Sequence, residues 1–221
     1  AGDFSRKGPG LLLRDLLDDP PKAALSTIAE AAPDILLLTD FDYDLNGVAL
    51  STLAEALGDR GAAYPHRFAL RPNTGMPTGR DLDGDGLLGG PRDAQGFGWF
   101  AGQGGMAILS RYPLRLVSDR SAVLWKDVAD SAIAPDDPGH DLQRLATGGF
   151  WAVAAKTPAG TLTLLTVAAT PPVFDGPEDR NGRRNRDEAL FWVQRLDAAD
   201  PLPGPVVLLG NMNLDPVNGE G

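Results

Sequence analysis

VVLLGNMNLDP, Val206–Pro216, sets the question of the fold. An apolar run stops on Gly210, and two asparagines follow with Met212 between them. Continuous apolar runs bounded by turn residues mark strands covered on both faces, so this stretch predicts a buried strand over Val206–Leu209. Pro33–Asp44, PDILLLTDFDYD, has the same form: Ile35–Leu38 is apolar, and an acidic group follows from Thr39 to Asp44. One strand delivers carboxylates to its end and the other delivers neutral amides.

The elements between them follow from periodicity and breakers. Leu11–Leu17 predicts a short helix, broken by Asp18, Asp19, Pro20 and Pro21. Ser26 is expected to N-cap a second helix that runs to Ala32 and stops at Pro33. A third, over Val48–Leu57, carries Leu50, Leu53 and Leu57 at helical spacing and closes on Gly58. Pro72–Gly105 is dominated by glycine, proline and aspartate, and reads as a long ordered loop or an ion-binding segment. Gly105–Ser110 and Pro113–Val117 predict strands, and Asp127–Leu142 a loop. Phe150–Ala155 and Thr161–Val167 flank Thr157–Gly160 as a hairpin. Asp187–Leu196 predicts an amphipathic helix with Leu190, Phe191, Val193 and Leu196 on its apolar side. Helices alternating with buried strands, then hairpins, imply one domain in which helices lie outside a mixed sheet.

Composition narrows the partners. The chain has 221 residues, 43% hydrophobic and 23% charged, which is globular. A formal charge of −10 argues against nonspecific attachment to nucleic acid or anionic membranes. A metal or local arginines can still reverse the field at a site. Sixteen Arg against four Lys fits genomic bias, and the absence of cysteine removes disulfide and thiolate chemistry. No apolar run approaches the roughly 20 residues of a membrane span. The first residue is Ala, which reads as a processed or cut chain, and the resemblance below suggests export.

Four stretches together resemble the endonuclease/exonuclease/phosphatase superfamily of metal-dependent phosphoesterases: Pro33–Asp44, Gly102–Leu114 (GQGGMAILSRYPL), Ala169–Asn185 (ATPPVFDGPEDRNGRRN) and Gly210–Pro216 (GNMNLDP). Tyr64–Gly75 and Asp81–Gly86 add likeness to a bacterial, often exported branch. The resemblance spans nearly the whole chain in family order. It implies a four-layer α/β/β/α sandwich, an α+β fold of two mixed sheets with outer helices, forming a single domain over residues 1–221. It also implies that the family's opening strand and closing third are lacking.

The resemblance further implies hydrolysis of phosphate esters with one or two divalent metals. Asp40 then stands where a carboxylate holds Mg²⁺ or Mn²⁺. Asp40, Asp42 and Asp44 equally read as the solvated start of a loop. Asn213 matches the family's phosphate-gripping Asn, but Asn211 occupies the place of an Asp that orients or deprotonates water. A neutral amide cannot accept a proton at neutral pH. Ala168 stands in the place of a phosphate-binding His, Phe150 and Ala152 in those of a His and an Asp, and Arg186 in that of another His. Thr170, Arg183 and Asn185 are the candidate substrate-binding residues. His66 and His140 read as surface or turn residues. The chain is therefore expected to keep a phosphoesterase scaffold with degraded catalytic residues. The alternative is an inactive relative that binds a metal or phosphate-bearing ligand, or serves as a structural domain.

Three other stretches stay open. Asp81, Asp83 and Asp85 with Gly86 form the first half of a calcium loop, yet position twelve is Arg92 with Asp93 after it. Ca²⁺ and a solvated acidic turn both fit. Arg180–Arg186, RNGRRNR, suits phosphate through forked guanidinium contacts or salt bridges to Glu178, Asp179, Asp187 and Glu188. Phe97, Trp99 and Phe100 read as a substrate rim or, more simply, as core packing. Nothing in the sequence indicates specificity for nucleic acid.

Overall fold

A computed structural model describes residues 4–5, 7–196, 202–215 and 217. Helices α1 (Pro9–Asp18) and α2 (Lys22–Ala31) precede strand β1 (Ile35–Phe41), and α3 (Val48–Gly58) precedes β2 (His66–Phe68). After the long loop come β3 (Gly105–Ser110), β4 (Leu114–Asp119), β5 (Trp151–Thr157) and β6 (Gly160–Ala168). Helix α4 (Arg180–Leu196) and β7 (Val206–Asn211) complete the described chain. Among the described residues no helix is long and apolar enough to cross a membrane.

Two sheets form. One has the order β1-β3-β2 and is antiparallel throughout; the other, β4-β5-β6-β7, is mixed because β6 and β7 run parallel. The two-residue alternation of strands explains how they stack. In β3, Met106 and Ile108 face Trp151, Val153 and Leu164 of the second sheet, while Ala107 and Leu109 face the helices. Ile35 and Leu37 join the space between the sheets; Leu36 and Leu38 join α1, α2 and α3. On the far side, Ala152, Leu165 and Val167 pack against Trp192 and Phe191 of α4. The layers are thus helices, sheet, sheet and helix. Trp151 is fully buried between the sheets and meets Phe68 edge to face at 5.5 Å.

Several expectations shift in detail. Helix α2 starts a turn earlier than Ser26, at Lys22: Leu25 N–H already bonds Pro21 C=O, so Pro21 takes the cap position and Ser26 lies inside the helix. Helix α4 starts at Arg180 rather than Asp187, and its buried side is Arg184, Asn185, Asp187, Glu188 and Trp192. Val193 and Leu196, expected on the apolar side, are half exposed. The buried side can be polar because its charges find partners, as described below. Strand β7 is less buried than predicted, with Val207 and Leu208 37% and 40% exposed, since only β6 flanks it among the described residues.

The loop from Pro72 to Gly104 is ordered by close backbone packing. A side chain at Gly75 would meet Phe100 C=O at 1.8 Å, and one at Gly98 would meet Gly75 N at 2.8 Å. Asn73, almost fully buried, donates to Ser121 and Ala146 C=O and accepts from Arg144, tying this loop to the next.

Candidate active site

Asp40 lies at the end of β1, where the register with β3 slips between Leu38 and Phe41. Such a bulge re-aims a side chain. The three acidic residues of this stretch then separate by role. Asp42 is fully buried and accepts the N–H groups of Lys7, Gly8 and Gly104. Asp44 accepts from Val48 and Ala49 and caps α3. Asp40 makes no hydrogen bond or ion pair with the described residues. Gly104 leaves it room: a Cβ there would stand 2.7 Å from its Oδ1.

The ends of β6 and β7 lie at the same end of the sandwich. Phe41 pairs with Gly105, and Gly148 stands where a Cβ would touch both Met106 and Ala168; Ala168 in turn pairs with Asn211. Here the two amides lock together. Asn211 Nδ2 donates to Asn213 Oδ1 at 3.0 Å, and Asn213 N–H donates to Asn211 Oδ1 at 2.9 Å. Asn213 Nδ2 donates to Ala169 C=O at 2.6 Å, with the residue held at φ +51°. Asparagine tolerates this left-handed conformation better than most residues.

Thr170 and Asn185 belong to the same group. Asn185 is buried and its Nδ2 donates to both Thr170 and Met212 C=O. The Thr170 and Thr147 hydroxyls share a bond of 2.6 Å. Glu188, expected from the sequence only as a salt-bridge partner of the arginine stretch, holds both threonines: its oxygens accept Thr147 N–H at 2.7 Å and Thr170 N–H at 2.5 Å. Burial pushes the Glu188 carboxyl above its ordinary range, against the pull of Arg184 and these N–H groups. The spacing Arg184, Glu188, Trp192 is i, i+4, i+8, one helical face, which was the available signal that a buried acid lay there.

The arginine stretch divides likewise. Arg184 is buried, donates to the carbonyls of Leu145, Gln95 and Arg144, and is lowered by burial to about 10. Arg180 bonds Asp137 at 2.6 Å, and Arg186 bonds Asp187 at 2.6 Å. Both Arg180 and Arg184 lie over the Trp125 ring. Among the described residues the Arg183 side chain bonds only the residue before its helix, through Nε to Asp179 C=O. Phe150 and Ala152 are buried beneath α4, with Phe150 stacked 4.2 Å from Phe191. His140 bonds Asp141 and is partly exposed, and His66 opens β2.

Asp81, Asp83 and Asp85 each bring an oxygen within 4.8 Å of the others. They also bond their own loop, Asp81 accepting from Gly84 and Gly86 and Asp85 from Leu87. Asp93, not the exposed Arg92, turns inward and accepts from Leu82 and Gly90; the Leu82 bond is first among those that hold its carboxyl below the usual range. Phe97 and Trp99 are 54% and 74% exposed, so the expected core packing does not hold for them; the tight glycine contacts at Gly96 and Gly98 leave no inward space for either ring.

Solved structures resemble the chain at low identity. They include ANGEL2, a 2′,3′-cyclic phosphatase, at 16% identity and TM-score 0.47, covering 98% of this chain and 49% of that one. A humanized D. rerio TDP2 matches at 14% and 0.43, covering 94% and 60%. Sphingomyelinase C from Streptomyces griseocarneus matches at 19% and 0.41, covering 88% and 57%. The chain spans about half to three-fifths of the length of these structures. No curated protein matches the sequence significantly. The family model for the endonuclease/exonuclease/phosphatase family matches residues 14–221, and with that match over nearly the whole chain the protein belongs to this family.

Proposed function

We propose that this chain is a divalent-metal phosphoesterase domain whose site binds phosphate esters but turns them over slowly. The observation that carries the reading is the Asn211–Asn213 lock at the same end of the sheets as Asp40, which has no partner among the described residues. Asp40 suits a hard cation such as Mg²⁺ or Mn²⁺, which takes one or two carboxylates and keeps several waters. Its open setting against Gly104 supports the fit. Such an ion, when bound, polarises a phosphoryl oxygen and lowers the pKa of a water.

The protein's own residues do the remaining work. Asn211 can orient a water through its amide but cannot take its proton. Asn213 and the Thr170 hydroxyl offer polar contacts to phosphate oxygens, and Arg183 supplies a charge able to reach outward. Asn185 braces the loops beneath them. Ala168 contributes no proton donor. General acid–base assistance is worth about 10²–10⁴-fold, so slow turnover follows. The Asp81–Asp85 loop is proposed as a separate Ca²⁺ site supported by its converging oxygens.

A second reading, binding without hydrolysis, draws support from the Asn211 side chain being bonded through both Nδ2 and Oδ1 to Asn213. Hydrolysis of bis-p-nitrophenyl phosphate with Mn²⁺ separates the two. The proposal expects slow turnover by this chain, lost in Asp40→Asn, and an increase of about 10²-fold or more in Asn211→Asp with Ala168→His. Brisk turnover by the unaltered chain sinks the claim of lost machinery. No turnover by either protein leaves the binding reading in place.

A further inference from the structure

We propose that Phe97 and Trp99 form a stacking shelf for a planar aromatic ring, a nucleobase or aryl group, carried on the alcohol side of the phosphate ester. The inference rests on the phosphoesterase reading and names the class of substrate it would take. The two rings stand 6.3 Å apart with planes at 81°, a right-angled corner. A planar ring stacked on one wall meets the other in an edge-to-face arrangement, the two geometries aromatic pairs prefer.

The backbone that carries the corner is tied down by the rest of the fold. Trp99 N–H donates to Oε1 of the buried Gln103 at 2.9 Å. Gly98 packs against Gly75 and Thr74, Thr74 bonds Thr147 C=O, and Thr147 shares its hydroxyl with Thr170. In the other direction the loop runs through Gly102, against Tyr43, to Gly104 beside Asp40. The shelf therefore lies on the loop joining the two halves of the proposed site, and rigid loops bind with less ordering cost.

Charge identifies the part of the ligand recognised. From Ala94 to Ser110 the sequence has no charged residue, and exposed ring faces offer stacking rather than ion pairing, which suits a neutral, planar group better than phosphate. A net charge of −10 favours a small ester over a polyanionic strand or an anionic bilayer.

Fluorescence reads this directly. The protein has four tryptophans, and Trp125, Trp151 and Trp192 are at most 1% exposed, so long-wavelength emission reports Trp99. Adenosine 5′-monophosphate and phenyl phosphate are expected to quench it saturably, and ribose 5-phosphate not to. Trp99→Leu, at an exposed position that should not disturb folding, is expected to abolish the quench and weaken calorimetric binding of both aromatic esters about tenfold or more. Equal binding of aromatic and ribose esters overturns the shelf. So does a blue shift with phosphatidylcholine vesicles in place of any response to the aromatic esters, which would make the corner a lipid contact. Adenosine alone separates the two claims. If it quenches while Asp40→Asn leaves phosphate-ester binding unchanged in Mn²⁺, the shelf stands and the metal reading falls. If Mn²⁺-dependent hydrolysis occurs with no preference for aromatic esters, the reverse holds.

Discussion

The base of α4 and the end of β1 are both polar, yet they are built on opposite terms. At α4, Arg184, Asp187 and Glu188 are buried, and each is matched by N–H groups, carbonyls or a ring. At β1, Asp40 is only half buried and has no bond to the described residues, with a glycine keeping its front open. Charges matched inside the protein organise loops; a carboxylate left unmatched and accessible is available to a ligand. The arginine stretch, read from the sequence as suiting either phosphate or salt bridges, takes mainly an internal course: three of its four guanidinium groups are engaged by Asp137, Asp187 and backbone carbonyls.

If that contrast is right, mutation should separate the two regions by size of effect. Arg184→Ala leaves three carbonyls without their donor and removes the charge that offsets the buried Glu188, and should cost about 3–5 kcal/mol in urea unfolding. A loss under about 1 kcal/mol would show the α4 network to be incidental. Glu188→Gln keeps one acceptor but turns an N–H donor toward Thr147 or Thr170, and is expected to cost about 1–3 kcal/mol. Thr147 and Thr170 amide exchange should quicken with it.

Acid should weaken the α4 side through Asp137. Burial disfavours its charge, but the Arg180 bond and charge together with Gly139 N–H hold its folded pKa below the ordinary 3.8. A depressed carboxyl contributes stability above its unfolded value and loses it as pH falls through the folded one. Stability should therefore fall below about pH 4, less steeply in Asp137→Asn. An unchanged acid limb in that variant would remove Asp137 from the clamp. The smallest effect belongs to the open region: Asp40→Asn should shift stability within about 0.5 kcal/mol. A larger loss would mean that Asp40, too, is structural.

The sequence carried the architecture further than the site. The strand readings at Gly105–Ser110 and at the apolar run Ile35–Leu38 were correct because both faces of each strand meet apolar layers. The hairpin at Thr157–Gly160 followed from its glycine, which adopts φ +124°. Helix α4 misled because its buried side is charged, and hydrophobic periodicity is blind to charges that find partners. Edge exposure of β7 depends on neighbours in space, which no local pattern encodes. At the site, the strand ends at Asp40, Asn211 and Asn213 were legible as places where polar residues follow apolar runs. The division of labour among Asp40, Asp42 and Asp44 was not, since it rests on long-range N–H groups such as Gly104. The hold of Glu188 on the Thr147 and Thr170 N–H groups was hidden for the same reason.

The central claim is that the unmatched Asp40 holds the catalytic cation. Anomalous diffraction from crystals grown with Mn²⁺ tests it most directly. A peak about 2.0–2.3 Å from an Asp40 carboxylate oxygen, absent in Asp40→Asn, is the predicted result. Peaks confined to the Asp81–Asp85 loop, or none at all, would contradict it.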